Sequence, residues 1–194
     1  WSLSAGVRQE WMQFNSLNFN APFDRSESKQ SASMPGIGVF YRITPEVAWL
    51  AGVYRGIGLS AGDDGAAGKP EESINYESGF RWNHLSSEAN LIGFWNDYKN
   101  IQGACSFSEG CAPEDVDKVF NGGKAKVYGL ESNLHHKLVF SEFNVPLDLQ
   151  YTYTRASFDS EFSSSLADWG KGQVHKGDPL PYISRHLATL GIGL

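Results

Sequence analysis

The chain has 194 residues, a net charge of −6 and 13% aromatic residues. The negative charge and the lack of a basic stripe argue against a nucleic-acid partner, and the lack of an apolar run of about 18 residues excludes a transmembrane helix. Neither observation excludes a transmembrane β-barrel, whose strands show only alternation. Both ends, Trp1 and Leu194, fall inside alternating runs, so we expect a section of a longer protein.

Eight segments alternate between apolar and polar residues with the period of two that is typical of β-strands. In the clearest segment, 74–83, Tyr76 and Phe80 share one face, whereas Glu77 and Arg81 share the other. In chain order, the predicted strands are 1–11, 36–44, 47–57, 74–83, 88–101, 124–138, 145–158 and 186–194.

The connections between these strands are predicted to alternate strictly between long and short. Long polar connections are expected at 14–34, 58–73, 103–123 and 159–182, and short turns at 44–46, 84–87 and 141–144. An outer-membrane barrel has this asymmetry, because its turns are short on the periplasmic side and its loops are long outside. The sequence therefore predicts an all-β, antiparallel transmembrane β-barrel with a polar face towards a wet interior and an apolar face towards lipid.

Aromatic residues are expected near both rims of such a barrel, where they form girdles at the membrane interfaces. Trp49, Trp82 and His136 are predicted near the rim with the short turns; Trp95, Tyr98, Tyr151 and Tyr153 are predicted towards the other rim. The alternative is a soluble β-sandwich binding module whose core the aromatic residues fill. Alternation alone does not separate the two folds, but the asymmetry of the loops favours the barrel.

No catalytic or metal-binding constellation is evident in the sequence, so we expect neither an enzyme nor a bound cofactor. The segment 56–61 is similar to the glycine-rich motif that binds dinucleotides, but no helical pattern follows it. His135 and His136 are adjacent on a strand and point to opposite faces, so they cannot chelate one metal together. Cys105 and Cys111 are expected to form a disulfide in an oxidising compartment, because no second Cys or His pair stands at metal-ligand spacing.

A series of short motifs runs through the chain: GVRQE at 6–10, ITPE at 43–46, VYRGI at 53–57, KPEESINYESGFR at 69–81, NDYKN at 96–100, VYGLE at 127–131 and PLPYISRH at 179–186. In this order and spacing, the chain resembles the barrel region of TonB-dependent outer-membrane receptors. Within that family it is most similar in appearance to ferric dicitrate-type siderophore receptors.

The resemblance implies a barrel of about 22 strands that is plugged by an N-terminal globular domain. Residues 1–194 would form part of that single barrel domain, while the plug, the TonB box and the remaining strands lie outside them. The function implied is energy-coupled uptake of a ferric siderophore, similar to ferric citrate, across the bacterial outer membrane. The implied partners are the TonB–ExbB–ExbD complex, outer-membrane lipid and lipopolysaccharide. A passive outer-membrane porin is the alternative.

Two sets of residues are predicted to matter in such a receptor. Glu77, Arg81 and Glu131 are expected to face the interior and to form a salt-bridged ring that braces the wall against the plug. An anionic ferric chelate would be attracted by cations and hydrogen-bond donors at the loop side. The candidates for ligand contact are Arg25, Arg55, Lys69, Trp169, Lys171, His175 and Arg185.

Overall fold

The computed structural model describes residues 1–18, 24–58, 70–104, 119–164, 169 and 172–193. These residues form strands and turns. The strands are β1 Ser2–Asn18, β2 Asp24–Arg42, β3 Val47–Gly58, β4 Glu71–His84, β5 Ser87–Lys99, β6 Gln102–Ala104, β7 Val119–Asn121, β8 Lys124–Val139, β9 Asn144–Phe158, β10 Phe162–Ser164, β11 Gly172–Val174 and β12 His186–Ile192. Within these residues there is no helix of the length and hydrophobicity that a membrane crossing needs.

The main sheet has eight strands in the order β1-β2-β3-β4-β5-β8-β9-β12. Every neighbouring pair is antiparallel. The remaining strands form two small hairpins, β6–β7 and β10–β11, which lie within the long connections. The predicted all-β, antiparallel architecture and the eight predicted strands are therefore confirmed.

The predicted long loop at 14–34 is wrong for residues 14–18 and 24–34, which belong to β1 and β2 and form one paired ribbon. Their ladder extends to the pair Asn18 and Asp24. Polar residues occupy both faces of this outer part, which hides its alternation in the sequence. Polar contacts support it instead: across the strands, Gln13 Nε2 donates to Glu27 Oε1 at 2.9 Å, and within β2 Lys29 Nζ lies 3.0 Å from the same oxygen.

The short turns lie where they are predicted. In the turn between β2 and β3, the Thr44 hydroxyl accepts hydrogen bonds from the backbone N–H groups of Glu46 (3.2 Å) and Val47 (3.0 Å). The turn between β4 and β5 has Leu85 at a φ of 49°. In the turn between β8 and β9, the N–H of Phe140 donates to the carbonyl of Phe143 at 2.9 Å. All three turns are at the same end of the sheet, which we call the short-turn end.

The opposite end, the long-loop end, holds the most deeply buried large side chains. Phe158 and Val174 expose only 2% and 0% of their surface. Phe158, Phe162 and Trp169 form an aromatic cluster with ring centroids 5.2 to 5.8 Å apart. The Trp169 ring packs so closely on Gly122 that a β-carbon there would lie 2.2 Å from it. The cluster therefore joins the connection after β5 to the connection after β9.

Candidate functional site

The register of the sheet defines two chemically different faces, because directly opposed residues on neighbouring strands share a face. Tyr76, Trp95 and Tyr128 are opposed across β4, β5 and β8, and we call their side the aromatic face. Glu77 and Arg81 lie on the other side, the polar face. Residues on the aromatic face include Leu3, Ile37, Val53, Phe80, Leu91, Leu130, Leu149, Tyr151 and Leu190. Many of these apolar side chains are exposed, and a soluble monomer rarely exposes so large an apolar surface.

Aromatic rings lie towards both ends of the aromatic face. Trp49, Trp82 and His136 lie towards the short-turn end, and Trp95 and Tyr153 towards the long-loop end, as predicted. Tyr151 lies at the middle of β9. At the long-loop end, the rings of Trp95 and Tyr128 stack with centroids 4.8 Å apart. The Trp95 indole N–H donates to Asp97 Oδ1 at 3.0 Å.

Tyr98 also lies towards the long-loop end, as predicted, but on the polar face. It is opposite Ala125 and Ser73, because it is three residues from Trp95 and therefore has the opposite parity. The ring that completes the stack with Trp95 comes from Tyr128 on the next strand.

The polar face carries the three charged residues that the sequence singles out. Arg81 Nε donates to Asn90 Oδ1 at 3.0 Å, and Glu131 lies opposite Ile92 and Thr152. Glu77 lies opposite Gly52, and its Oε1 is 3.1 Å from the place that a β-carbon on Gly52 would take. Among the described residues, no ion pair joins the three to one another. Their bracing of a plug stays a prediction.

The polar face also carries an apolar band that the sequence did not lead us to expect. The band consists of Phe40, Leu50, Ile92 and Phe94. Two glycines on the same face make room for it: a β-carbon on Gly79 would lie 2.7 Å from the Ile92 side chain, and one on Gly129 would lie 2.8 Å from Phe94. The polar face of the sheet therefore carries both charged side chains and an apolar band.

A group of neutral polar side chains lies on the polar face near the long-loop end. We call Tyr54, Ser73, Asn75 and Tyr98 the hydroxyl–amide cluster; they are neighbours on the polar face of β3, β4 and β5. Asn75 exposes 6% of its surface, and its Nδ2 donates to Ser73 Oγ at 3.0 Å and to the Tyr54 carbonyl at 3.3 Å. This cluster could not be predicted from the sequence, because its members become neighbours only through the register.

Arg55 does not lie on the polar face. It is opposite Ile74 on the aromatic face. Its Nη2 is 2.9 Å from Glu72 Oε1, and its Nη1 donates to the Ser33 carbonyl at 3.2 Å. This placement separates Arg55 from the hydroxyl–amide cluster.

The other predicted ligand residues are dispersed. Trp169 is packed in the aromatic cluster. His175 is exposed, and its backbone N–H donates to Asp178 Oδ2 at 2.8 Å. Arg185 is exposed, and its carbonyl accepts from the Thr154 N–H at 2.9 Å. Arg25 lies on β2 at a position whose side chain is not described, and Lys69, Lys171, Cys105 and Cys111 lie outside the described residues.

The hairpin β10–β11 packs on the polar side of the sheet. Phe158, on which it rests, lies opposite Ala125, which is opposite Tyr98 on the polar face. The Asp159 carboxylate holds the base of the hairpin, with Lys126 Nζ at 2.8 Å and Lys176 Nζ at 3.0 Å. Two hydrogen bonds, the one from Lys126 having the larger effect and the other coming from Lys176, lower the pKa of this carboxyl from its usual value.

The described side chains offer no group of three His, Cys, Asp or Glu residues that could hold a metal ion. The chemistry available on the polar face is hydrogen bonding, charge and ring contact. Such groups can bind and orient a solute.

Comparisons with known proteins agree with this architecture. Residues 1–194 match the family model described as TonB dependent receptor-like, beta-barrel. The fold is similar to that of the siderophore receptor PiuA from Acinetobacter baumannii, with a TM-score of 0.70 and 16% identity over 97% of this chain and 28% of that chain. It is also similar to the FrpB iron transporter from Neisseria meningitidis, with a TM-score of 0.57 and 18% identity over 80% of this chain and 23% of that chain. A comparison with curated protein sequences found no significant match.

Proposed function

Because the chain belongs to the TonB-dependent receptor-like β-barrel family, we propose that it forms part of the wall of an outer-membrane receptor that takes up a ferric siderophore. The observation that carries this proposal is the sheet with one exposed aromatic face and one charged face. Similar folds occur in a siderophore receptor and an iron transporter, of which this chain spans 28% and 23%.

In this proposal the aromatic face meets lipid and the polar face lines the interior. A tilted transmembrane strand needs about 9–11 residues, and β3, β4 and β5 have 12, 14 and 13. In lipid every backbone polar group must be paired, which the antiparallel ladders achieve within the sheet. The short turns then lie in the periplasm and the long-loop end faces outwards.

The proposed activity is binding followed by gated passage, without the making of bonds. Energy would come from the TonB–ExbB–ExbD complex, acting through a plug and a TonB box in other parts of the protein. The protein would be embedded in the bacterial outer membrane, in contact with its lipid and lipopolysaccharide. The ligand is proposed to be an anionic ferric chelate similar to ferric citrate.

The ligand would approach the polar face from the long-loop end. The hydroxyl–amide cluster offers hydrogen-bond donors there, and Tyr54 is 47% exposed. Exposed His175 and Arg185 provide a ring nitrogen and a cation in the connection after β9. Arg25, Lys69, Trp169 and Lys171 remain proposed contributors from the same end of the protein.

A passive porin is less well supported by the described residues. Such a channel would be narrowed by an inward loop that carries clustered charges. The hairpin β10–β11 does lie on the polar side, but its two strands carry no charged side chain; the charges of Asp159, Lys126 and Lys176 at its base are paired with one another.

Uptake of radioactive iron by iron-starved cells tests the proposal. Cells that lack the full-length protein should lose uptake of ferric citrate, and the gene should restore it only when TonB is present. Unchanged uptake in the deleted strain would eliminate ferric citrate as the ligand, and restoration without TonB would point to a passive channel.

A pair of tyrosine variants locates the binding face. Tyr54 and Tyr76 are both 47% exposed but lie on opposite faces. Tyr54→Ala removes a ring and a donor from the polar face and should weaken binding of ferric citrate by about tenfold. Tyr76→Ala, on the aromatic face, should leave the dissociation constant unchanged. Equal effects of the two variants would contradict the proposed location.

A further inference from the structure

The sheet forks at the long-loop end, where β2 leaves β3. The ladder between these two strands ends at the pair Gly36 and Tyr54. Beyond this pair, β2 continues in its ladder with β1, and β3 continues in its ladder with β4 as far as Gly58 and Glu71. Between the ribbon and β3 the two ladders leave a cleft of about 620 Å³, which we call the fork cleft.

Arg55 spans the fork on the aromatic face. Its Nη1 donates to the Ser33 carbonyl of the ribbon at 3.2 Å, and its Nη2 is 2.9 Å from Glu72 Oε1 on β4. One guanidinium therefore connects the two sides of the fork and fixes the width of the cleft. A site that is held in shape before its ligand arrives loses less entropy on binding.

On the polar face, the fork cleft has a floor of glycines between larger side chains. Gly6, Gly36 and Gly56 line this floor, so a ligand can approach the backbone closely. A β-carbon on Gly6 would meet nothing within 4 Å, so the space above β1 is open. Arg8 and Tyr54 lie at the sides of the cleft.

The fork cleft is continuous with the hydroxyl–amide cluster. Gly56 is opposite Ser73, and a β-carbon on Gly56 would lie 2.6 Å from the Ser73 hydroxyl and 3.1 Å from Asn75 Nδ2. Tyr54 belongs to both the cleft and the cluster. Arg8, on the ribbon side of the cleft, therefore adds a cation to a group of neutral polar side chains.

Arg8 is available to bind an anion. Its side chain is 75% exposed and forms an ion pair with Glu10 on the same strand. A guanidinium has five N–H donors in a planar arrangement and can hold a carboxylate by two parallel hydrogen bonds. The other cations on the strands near this end lie on the aromatic face; they are Arg55, Lys99, Lys124, Lys126 and Arg155.

We propose that the fork cleft is a subsite for a carboxylate group of the ferric chelate, where Arg8 binds the carboxylate and Tyr54 contacts the chelate beside it. This inference rests on the proposed function, which turns the polar face towards the interior and assigns an anionic ligand to it. Glu10 occupies part of the guanidinium in the free protein, so a ligand carboxylate competes with Glu10 for the same N–H donors.

The test measures the dissociation constant of ferric citrate for the detergent-solubilised full-length protein by isothermal titration calorimetry. Arg8→Gln should weaken binding roughly tenfold to a hundredfold, the range for hydrogen bonds to a charged group. Arg8→Lys keeps the charge without the planar set of donors and should recover only part of the affinity. The matched control is Arg155→Gln, which removes an exposed guanidinium from the aromatic face and should leave binding unchanged.

Two further variants test the cleft without removing Arg8. Glu10→Gln removes the carboxylate that competes for the guanidinium and should tighten binding about two- to fivefold, the range of an exposed ion pair. Because a misfolded protein does not gain affinity, this result is independent of any damage to the fold. Gly6→Leu places a side chain in the open space above β1 and should weaken binding although no charge changes.

Three results would overturn the inference. The first is wild-type affinity in Arg8→Gln, and the second is an equal loss of affinity in Arg8→Gln and Arg155→Gln. The third is unchanged or weaker binding by Glu10→Gln, because this carboxylate would then not compete with the ligand.

The wild-type protein separates this inference from the proposed function. Wild-type protein that neither binds ferric citrate nor transports it would overturn the proposed ligand, and the subsite with it. Wild-type binding and TonB-dependent uptake that are insensitive to changes at Arg8 and Gly6 would overturn the subsite alone.

Discussion

The contact between Gly122 and Trp169 can be tested with a single methyl group. Gly122 does not have a positive φ, so alanine adds no backbone strain there. Its β-carbon would nevertheless lie 2.2 Å from Cζ3 and 2.8 Å from Cη2 of Trp169. The ring has little room to retreat, because Phe158 and Phe162 hold it with centroids 5.2 and 5.8 Å away.

The cost of Gly122→Ala should be that of overpacking, about 1–3 kcal/mol. Gly122 lies between β7 and β8, outside the ladders of the eight-stranded sheet, so the cost should fall on the docking of the hairpin β10–β11. A local destabilisation of that size speeds exchange of the hairpin amides roughly 5- to 150-fold. Hydrogen exchange of the full-length protein, read by mass spectrometry on peptides that cover β10 and β11, measures it.

Gly6→Ala is the control, because a β-carbon on Gly6 meets nothing within 4 Å. It should leave exchange unchanged everywhere. Exchange of β10 and β11 at the wild-type rate in Gly122→Ala would show that the close contact with Trp169 does not hold the hairpin. Equal acceleration of exchange in β3, β4 and β5 would show that the effect is not local.

Two further outcomes follow from the same geometry. The lysines beside Asp159 lower the pKa of its carboxyl in the folded state. Their stabilisation of the hairpin is therefore complete above the unfolded pKa of about 3.9 and is lost as the pH falls through the lower folded pKa. Trp169 fluorescence should report undocking of the hairpin in that acid range, and Asp159→Asn should remove this pH dependence. Gly129→Ala places a β-carbon 1.9 Å from a neighbouring carbonyl oxygen and should lower the free energy of unfolding by ~1–3 kcal/mol or more, as measured by urea titration in detergent. Gly93→Ala, whose β-carbon would have ordinary contacts of 3.7 Å and more, should lower it much less. Equal losses in the two variants would contradict the close packing at Gly129.

The strands inside the predicted membrane span could be found from the sequence, because one face must be apolar and the other polar there. The ribbon at 14–34 could not be found in this way. Once both faces are exposed to water, pairs such as Gln13 with Lys29 satisfy the ladder without any apolar alternation. The prediction failed where burial no longer imposes a pattern.

The candidate site was only partly visible in the sequence for a related reason. Parity along one strand placed Glu77 and Arg81 together, and the same parity would have placed Arg55 with Val53 on the aromatic face. The hydroxyl–amide cluster depends on how β3, β4 and β5 align, which the pattern within one strand does not determine. Trp169 packs against Gly122 and Phe158, and no pattern in the nearby sequence predicts these contacts.

The ribbon of β1 and β2 has a consequence for how the protein meets its surroundings. β1 has 17 residues and at about 3.4 Å per residue spans on the order of 55 Å, well beyond the bilayer core of about 30 Å. A hydrogen bond in lipid has no competitor, whereas one in water contributes only about 1 kcal/mol. We therefore expect the outer hydrogen bonds of this ribbon to open more often than those within the membrane span. A foreign epitope inserted after Asn18, whose pairing with Asp24 is the outermost described pair of the ribbon, should accordingly be accepted without loss of the sheet within the membrane.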